Sequence, residues 1–307
     1  MGLLILVTVA GLVASLVDGA LGMGFGPTSS TLLLGAGLAP AAVSTTVNVA
    51  KVASGLAGGM AHYRFGNVDR GLVVRLAVPG SLGALVGVTV LANVDGGALR
   101  PYLAGLLLLV GLRMLVRFSR PPATGGPAVS SRPAGPSGPS VPDDVYHPGI
   151  LVAAFLGGVT NGLVGAWGPV VTPVLLGRPG LEPRVAIGSV NTAEVAVALT
   201  ASGTLIASLN GAGVDLGILV AMLLGGVTAA PVAAWVVRHL APRWLGVGAG
   251  GLLLLTSTRD LAGAADLGLS RWAAYAAVAT LVAVAARVSL RGRPVQEDAR
   301  PALLPGG

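Results

Sequence analysis

The sequence predicts an all-α polytopic membrane protein: two inverted repeats of helices with short re-entrant or broken half-helices, plus one extra C-terminal helix. Three observations predict it. The first is a deficit of charge. Only 10% of the 307 residues are charged and 53% are hydrophobic, with a mean hydropathy of +0.83, whereas a soluble domain carries about 25% charge. So few charges cannot cover a soluble surface, and lipid asks for none. The second is a run of apolar segments of near membrane-spanning length. The third is an internal duplication on either side of a Pro/Gly/Ser-rich stretch.

The apolar segments fall at 3–21, 27–37, 41–62, 71–92 and 99–118, then at 148–164, 168–177, 184–208, 214–237, 243–258 and 270–290. Most approach the ~20 residues that cross a hydrocarbon core. Segments 27–37 and 168–177 are too short, at roughly 16 Å of helix each, and are expected to reach only part-way. Abundant glycine, 48 residues, suits helices that must approach closely without a hydrophobic effect between them. The N-terminal run Met1-Gly2-Leu3-Leu4-Ile5-Leu6-Val7 has no basic residue ahead of it, so the first segment is expected to be retained rather than cleaved.

These segments divide into a first transmembrane repeat at 1–118, a flexible linker at 119–147, a second repeat at 148–262, and an additional helix with a basic tail at 263–307. The linker is rich in Pro, Gly and Ser and has too few apolar residues to pack. The two repeats share a pattern. Residues 18–52 read DGALGMGFGPTSSTLLLGAGLAPAAVSTTVNVAKV and residues 161–195 read NGLVGAWGPVVTPVLLGRPGLEPRVAIGSVNTAEV. Pro27 matches Pro169, Gly35 matches Gly177, Pro40 matches Pro183, Asn48 matches Asn191 and Lys51 matches Glu194, at offsets of 142 or 143 residues. Prolines and asparagines at a near-constant offset are harder to obtain by chance than glycines in so glycine-rich a chain.

Arginine placement sets an expected orientation. With the loop at 63–70 in the cytoplasm, only Arg100, Arg259 and Arg271 fall outside; every other arginine falls inside and Lys51 lies within the membrane. This obeys the positive-inside rule and puts the linker and C-terminus in the cytoplasm. The loops near Pro40 and Pro183 then lie on opposite faces, as in many secondary transporters built from inverted repeats.

Two constellations carry chemistry. One is the pair of glycine-rich turns, Gly22-Met23-Gly24-Phe25-Gly26-Pro27 and Gly165-Ala166-Trp167-Gly168-Pro169, each opening a short helix. Proline near a first helical turn forfeits no hydrogen bond, and a helix N-terminus holds an anion without a basic side chain. Gly24, Gly26, Pro27, Thr28, Ser29, Gly168 and Pro169 are therefore candidate substrate contacts. The alternative is that these glycines only allow tight hairpin packing. The second constellation is Asn48 with Lys51 and Asn191 with Glu194, each pair sharing a helix face. Ionisable residues at membrane depth mark function by default. Lys51, Asn48 and Asn191 are expected to bind an anion, and Glu194 and Asp18 to couple transport to protons. A purely structural Lys51–Glu194 ion pair is the competing reading. Asp18, matched by Asn161, caps the break or joins the pocket; Asp69 and Asp215 read as solvated anchors.

The zero cysteine count excludes disulfides, thiol nucleophiles and iron–sulfur clusters. His62, His147 and His239 lack ligand spacing, so no metal and no cofactor is expected, and no catalytic residue. The net charge of +7 fits cytoplasmic loops rather than nucleic acid. The expected partners are a small anionic substrate and the lipid bilayer, with no nucleic acid; self-association into a homo-oligomer is left open.

The DGALGMGFG-Pro opening, the Gly35…Pro40…Asn48 spacing, the Ala61-His62-Tyr63-Arg64-Phe65-Gly66-Asn67-Val68-Asp69 loop and the recurrence of the pattern after the linker resemble the sulfite exporter TauE/SafE family of bacterial permeases. The resemblance spans nearly the whole chain and departs from it in the long linker and the extra segment at 270–290. It implies a multi-pass protein of the cell membrane that transports sulfite, sulfoacetate or a related organosulfonate by alternating access. Two other classes compete. An intramembrane enzyme acting on a lipid phosphate would want an arginine beside the Ser/Thr cluster, and none follows Pro27 or Pro169. An anion channel would differ in showing flux that does not saturate. No GxxxxGK[ST] motif is present, so ATP hydrolysis is not expected.

Overall fold

The computed structural model describes residues 2–21, 24–119, 147–176, 178, 181–208, 215–239, 242–265 and 268–291. The described residues form eleven α-helices, a short 3₁₀ turn at Gly268–Ser270 and connecting loops. The helices are α1 (Gly2–Leu21), α2 (Phe25–Gly35), α3 (Pro40–Arg64), α4 (Arg70–Asn93), α5 (Gly96–Ser119), α6 (Pro148–Val164), α7 (Gly168–Leu176), α8 (Pro183–Ser208), α9 (Leu216–His239), α10 (Pro242–Ala264) and α11 (Arg271–Arg291). The expected linker, except for its end residues Ser119 and His147, lies outside the described residues, as do Gly22, Met23 and the basic tail beyond 291.

Among the described helices, Arg70–Asn93, Gly97–Ser119, Arg184–Ser208 and Gly268–Ser289 are long and apolar enough to cross a membrane, with shorter apolar stretches at Gly2–Leu16, Pro148–Val164 and Leu216–Gly226. The chain is a multi-pass membrane protein. Helix α4 is apolar on both faces, with its mid-helix glycines on the buried one. On α4 the buried positions are Leu72, Leu76, Gly80, Gly83, Ala84, Gly87, Val88 and Leu91, spaced three and four apart on one face. The opposite face carries exposed Val74, Val78, Leu82, Leu85, Val86 and Val90. All the small residues of the buried face, Gly80, Gly83, Ala84 and Gly87, lie in the middle of α4, where they let the helices approach closely, while the opposite face carries these large apolar side chains.

The glycines explain the pairing. The strongest helix contacts are α1 with α9, α4 with α6, α5 with α10 and α3 with α8. At α4–α6 a Cβ on Gly83 would lie 2.0 Å from the Phe155 carbonyl oxygen, and one on Gly158 would lie 1.9 Å from that of Gly80. At α1–α9 a Cβ on Gly225 would lie 2.0 Å from the Thr8 carbonyl oxygen. Any side chain at these positions would drive the helices apart. Exchanging the first five helices with the next five turns α1–α9 into α6–α4 and returns α3–α8 and α5–α10 to themselves.

Helix ends are closed as their sequences suggest. Asp69 accepts a hydrogen bond from Leu72 N–H at 2.6 Å, Asp215 from Ile218 N–H at 3.0 Å and His147 Nδ1 from Gly149 N–H at 3.1 Å, each satisfying an orphan donor of a first turn. The two aspartates read as solvated anchors are thus helix caps. Within the helices, hydroxyls turn back onto their own backbone: Thr8 donates to Leu4 O at 2.9 Å and Thr280 to Ala276 O at 2.8 Å. This satisfies polar groups where no water is at hand.

Apolarity ended before one helix did. The segment expected at 243–258 continues as α10 to Ala264 and includes Arg259 and Asp260. No proline interrupts 258–264, and charged residues near a helix end cost little because they reach the membrane face.

End-to-end contacts show where the short helices go. Leu4, near the start of α1, lies beside Gly217 at the start of α9. The Leu34 carbonyl near the end of α2 accepts from Arg100 near the start of α5, and Gly35 lies beside Arg259 near the end of α10. Thus α1 enters from one face and α2 returns to it. On the other face, Gly149 at the start of α6 lies beside Arg178 just past α7, and Phe118 at the end of α5 packs on Gly246 near the start of α10. Here too Asp69 N–H donates to Ser189 Oγ at 3.0 Å, joining the α3–α4 loop to the start of α8. The α6–α7 hairpin therefore enters from the face opposite to α1–α2.

Candidate functional site

The two hairpins meet at their tips. A Cβ on Gly26 would lie 1.8 Å from the Gly165 carbonyl oxygen, so the backbones touch where α2 begins and α6 ends. Only glycine permits that approach. Pro27 is the third residue of α2 and Pro169 the second of α7, both in first turns where a missing N–H is harmless.

Between the tips lies Lys51, near the middle of α3 and 6% exposed. Its Nζ donates to Asn161 Oδ1 at 2.8 Å and to the Gly165 carbonyl at 2.7 Å, and it forms an ion pair with Glu194 of α8. An ammonium has three N–H donors, and all three are engaged. Asn161 is itself fixed, because its Nδ2 donates to Asn48 Oδ1 at 2.7 Å. Asn48 Nδ2 in turn faces the Ser44 carbonyl at 2.9 Å and the Asn161 carbonyl at 3.3 Å, while Ser44 Oγ donates to the Gly162 carbonyl at 2.6 Å. A buried charge is tolerable only when paired and hydrogen-bonded, and this chain of partners meets both conditions. It also explains why α3, though 25 residues long, is polar through its centre: Ser44, Thr45, Thr46 and Asn48 are all buried against protein rather than lipid.

Asp18, near the end of α1, accepts from Phe25 N–H at 3.3 Å, so a carboxylate sits at the N-terminus of α2, where the helix dipole favours negative charge. The expected cap and the expected pocket residue are one and the same. Asp18 lines a cavity of about 10 Å³ together with Gly24, Gly26, Pro27, Lys51, Gly165, Gly168, Pro169 and Glu194. That is room for at most one water. An adjoining cavity of about 90 Å³ is lined by Asp18, Lys51, Glu194, Ser54, Gly58 and Asn191.

Of the residues singled out in the sequence, Asp18, Gly24, Gly26, Pro27, Lys51, Gly168, Pro169 and Glu194 converge on the smaller cavity, and Asn191 on the larger. Asn48 supports Asn161 from behind and lines neither cavity. Thr28 and Ser29 are fully buried outside both linings, and their hydroxyls have no hydrogen-bond partner among the described residues. The residue that sequence reasoning undervalued is Asn161, named only as the counterpart of Asp18. Its signal was present in the duplication: a polar residue at the same offset, one turn before the second glycine-rich break. Among the described residues no group of three or more His, Asp or Glu side chains converges; Glu194 pairs with Lys51, and Asp18 lines the same cavity.

With this geometry in view, the comparisons with known proteins are specific. The family described as Sulfite exporter TauE/SafE matches residues 7–259, a stretch that contains both hairpins and both charged positions. The chain belongs to the sulfite exporter TauE/SafE family. It is also similar to the "Probable membrane transporter protein YtnM" of Bacillus subtilis (strain 168), with 37% identity over 282 residues, covering 91% of this chain and 87% of that protein. No solved structure matches significantly. As a TauE/SafE protein the chain is a membrane transporter. The family match stops before α11, so the final helix lies outside the matched region.

Proposed function

We propose that this transporter carries a small sulfur-containing anion, such as sulfite, sulfoacetate or a related organosulfonate, by alternating access around Lys51, with Glu194 and Asp18 coupling the movement to protons. The observation that supports it most is that every donor of Lys51 is already taken. An arriving anion finds no free N–H on the ammonium unless one partner leaves, and Glu194 is the only partner that is itself an anion. Protonation neutralises Glu194 and weakens its hold on Lys51, so anion binding and proton uptake favour each other. Asp18, beside Glu194 and at the α2 N-terminus, adds a second carboxylate from which a proton is passed. The cavity of about 10 Å³ leaves no room for an anion beside Lys51 while Glu194 holds it. The substrate class follows the family's description and the chemistry of an oxyanion held between an ammonium and helix N-termini.

Uptake of radiolabelled sulfite and sulfoacetate into proteoliposomes, with and without an imposed pH gradient, tests the reading. Glu194→Gln should retain uptake but lose its dependence on the gradient. The double variant Lys51→Met with Glu194→Leu should fold yet transport at background level. Wild-type rates in that folded double variant would reduce the pair to scaffolding. Flux without saturation would favour a channel, and turnover of a lipid phosphate would favour an enzyme.

The hairpins entering from opposite faces, and the exchange symmetry of the helix pairs, support repeats of inverted topology at 1–118 and 148–262. Arginine placement supports a cell-membrane orientation with the 119–147 linker and the 263–307 tail ending in the cytoplasm. Labelling of a cysteine placed at Ser137 by an impermeant external reagent in intact cells would overturn that orientation; the chain's lack of native cysteine makes the measurement clean.

A further inference from the structure

A second cavity lies apart from the charged site. It is an open cleft of about 740 Å³ between α5 on one side and α6 and α7 on the other. α5 packs along α10 and touches α6 and α7 only lightly, which leaves the cleft unfilled. Its walls are apolar, and Leu109, Val116 and Leu156 are well exposed along it. One end differs. Arg113 and Arg117 line it, one helical turn apart and so on the same face of α5, near the helix end at Ser119. No carboxylate among the described residues forms an ion pair with either.

We propose that this cleft holds one anionic phospholipid, with its headgroup phosphate on Arg113 and Arg117 and an acyl chain along α7. Size, charge and position agree. From Leu106 to Arg117 the cleft follows roughly 16 Å of helix, about half of a ~30 Å hydrocarbon core, the depth of one leaflet's chain. The basic end sits where the face carrying Phe118 and Ser119 meets water, at headgroup level, and basic pockets between transmembrane helices at such a face bind anionic headgroups. Residues 120–146, which follow α5, are mostly proline, glycine, serine and alanine and hold no Leu, Ile, Met, Phe or Trp, only three valines and one tyrosine, too little apolar bulk for a cleft of this size. The cleft also reaches the functional site. Pro169 lines both the cleft and the 10 Å³ cavity beside Lys51, so the bound chain forms the lipid-side wall behind the α7 N-terminus. The proposal rests on the chain being a multi-pass membrane protein and not on the identity of the transported anion.

Native mass spectrometry of the detergent-purified protein, exchanged into mixed micelles with phosphatidylglycerol or phosphatidylcholine of identical chains, tests it. The wild type should retain one phosphatidylglycerol in preference to phosphatidylcholine. Arg113→Gln and Arg117→Gln should each weaken that preference about fivefold, and Arg113→Lys with Arg117→Lys should keep most of it. Val170→Trp, which fills the cleft without touching the arginines, should reduce retention of both lipids; monodisperse elution and an unchanged helical circular-dichroism signal confirm that each variant is folded. Equal retention of the two lipids by the wild type would overturn the proposal. So would phosphatidylglycerol retention untouched by all of these changes, or a dimer that survives complete delipidation and is broken by Val170→Trp, which would put a second copy in the cleft.

Discussion

The two hairpins share one sequence pattern and are held closed in different ways. In the first, a charged side chain does the work: Asp18 receives Phe25 N–H across the break between α1 and α2, and Gly24 takes a φ of 145° that side-chain-bearing residues rarely adopt. In the second, the backbone closes the break itself. Gly165 turns left-handed at φ 70°, its N–H returns to the Asn161 carbonyl at 2.8 Å, and the Ala166 N–H returns to the Thr160 carbonyl at 3.3 Å. Fully buried Trp167 then pins the turn to α8, its Nε1 donating to the Val190 carbonyl at 3.2 Å. One tip offers a carboxylate and the other a carbonyl, and Lys51 reaches the carbonyl. The shared pattern thus gives two matching frameworks, and the differences at Asp18/Asn161 and Lys51/Glu194 give the polarity. A site of perfect two-fold symmetry would have set lysine against lysine or glutamate against glutamate.

The largest expected effect tests whether the opposed charges are one energetic unit. Lys51→Met alone, or Glu194→Leu alone, leaves a charge buried without its partner and should cost about 3–5 kcal/mol. The double change should recover most of that in thermal unfolding followed in detergent. If the double variant is as unstable as either single one, the two charges are not coupled in the way the geometry indicates.

Next comes the contact between the tips, where the hairpins should differ. Gly26→Ala pushes a methyl into the Gly165 carbonyl oxygen, a backbone atom that cannot move aside, and should cost about 3 kcal/mol. Gly165→Ala meets a methyl of Val47 at 2.8 Å and the Gly26 Cα less closely, at 3.2 Å, and with left-handed strain should cost about 1–2 kcal/mol. Gly58→Ala has open space around it and serves as the control. Equal losses for Gly26 and Gly165, read by yield of monodisperse protein and by melting, would contradict the asymmetry.

The smallest effect separates two hydroxyls that occupy matching positions. Ser30 Oγ donates to the Val164 carbonyl at 2.7 Å and ties α2 to the second hairpin. Thr172 Oγ1, its counterpart at an offset of 142 residues, is buried with no partner among the described residues. Ser30→Ala should therefore destabilise by about 1 kcal/mol, and Thr172→Val by close to zero or less. A Thr172→Val variant that melts normally but loses uptake would mean that this hydroxyl serves the substrate rather than the fold.

Much of this was legible in the residues, for a physical reason: bilayer thickness fixes how long an apolar segment must be. Segments 27–37 and 168–177 announced themselves as too short, and the structure folds them as α2 and α7 of 11 and 9 residues. The charged pair was equally legible, because a lysine and a glutamate at one offset in a chain with 10% charge stand out. What the sequence could not express was distance. That Lys51 passes its own repeat's hairpin to bond the Gly165 carbonyl, that Asn48 meets Asn161 rather than Asn191, and that Asp18 joins the cavity of Glu194 all depend on how closely the helices approach. That approach is set by glycines such as Gly26, Gly83 and Gly158 meeting a backbone from another segment. A glycine reads the same whether it lines a turn, faces lipid or touches a carbonyl. The sequence by itself determined a membrane-embedded helical protein with a recurring pattern that carries opposite charges at matching positions. Only the tertiary structure decided which atoms those charges hold, because hydrogen bonds act over about 3 Å and side-chain pairing across a bundle follows packing, not order along the chain.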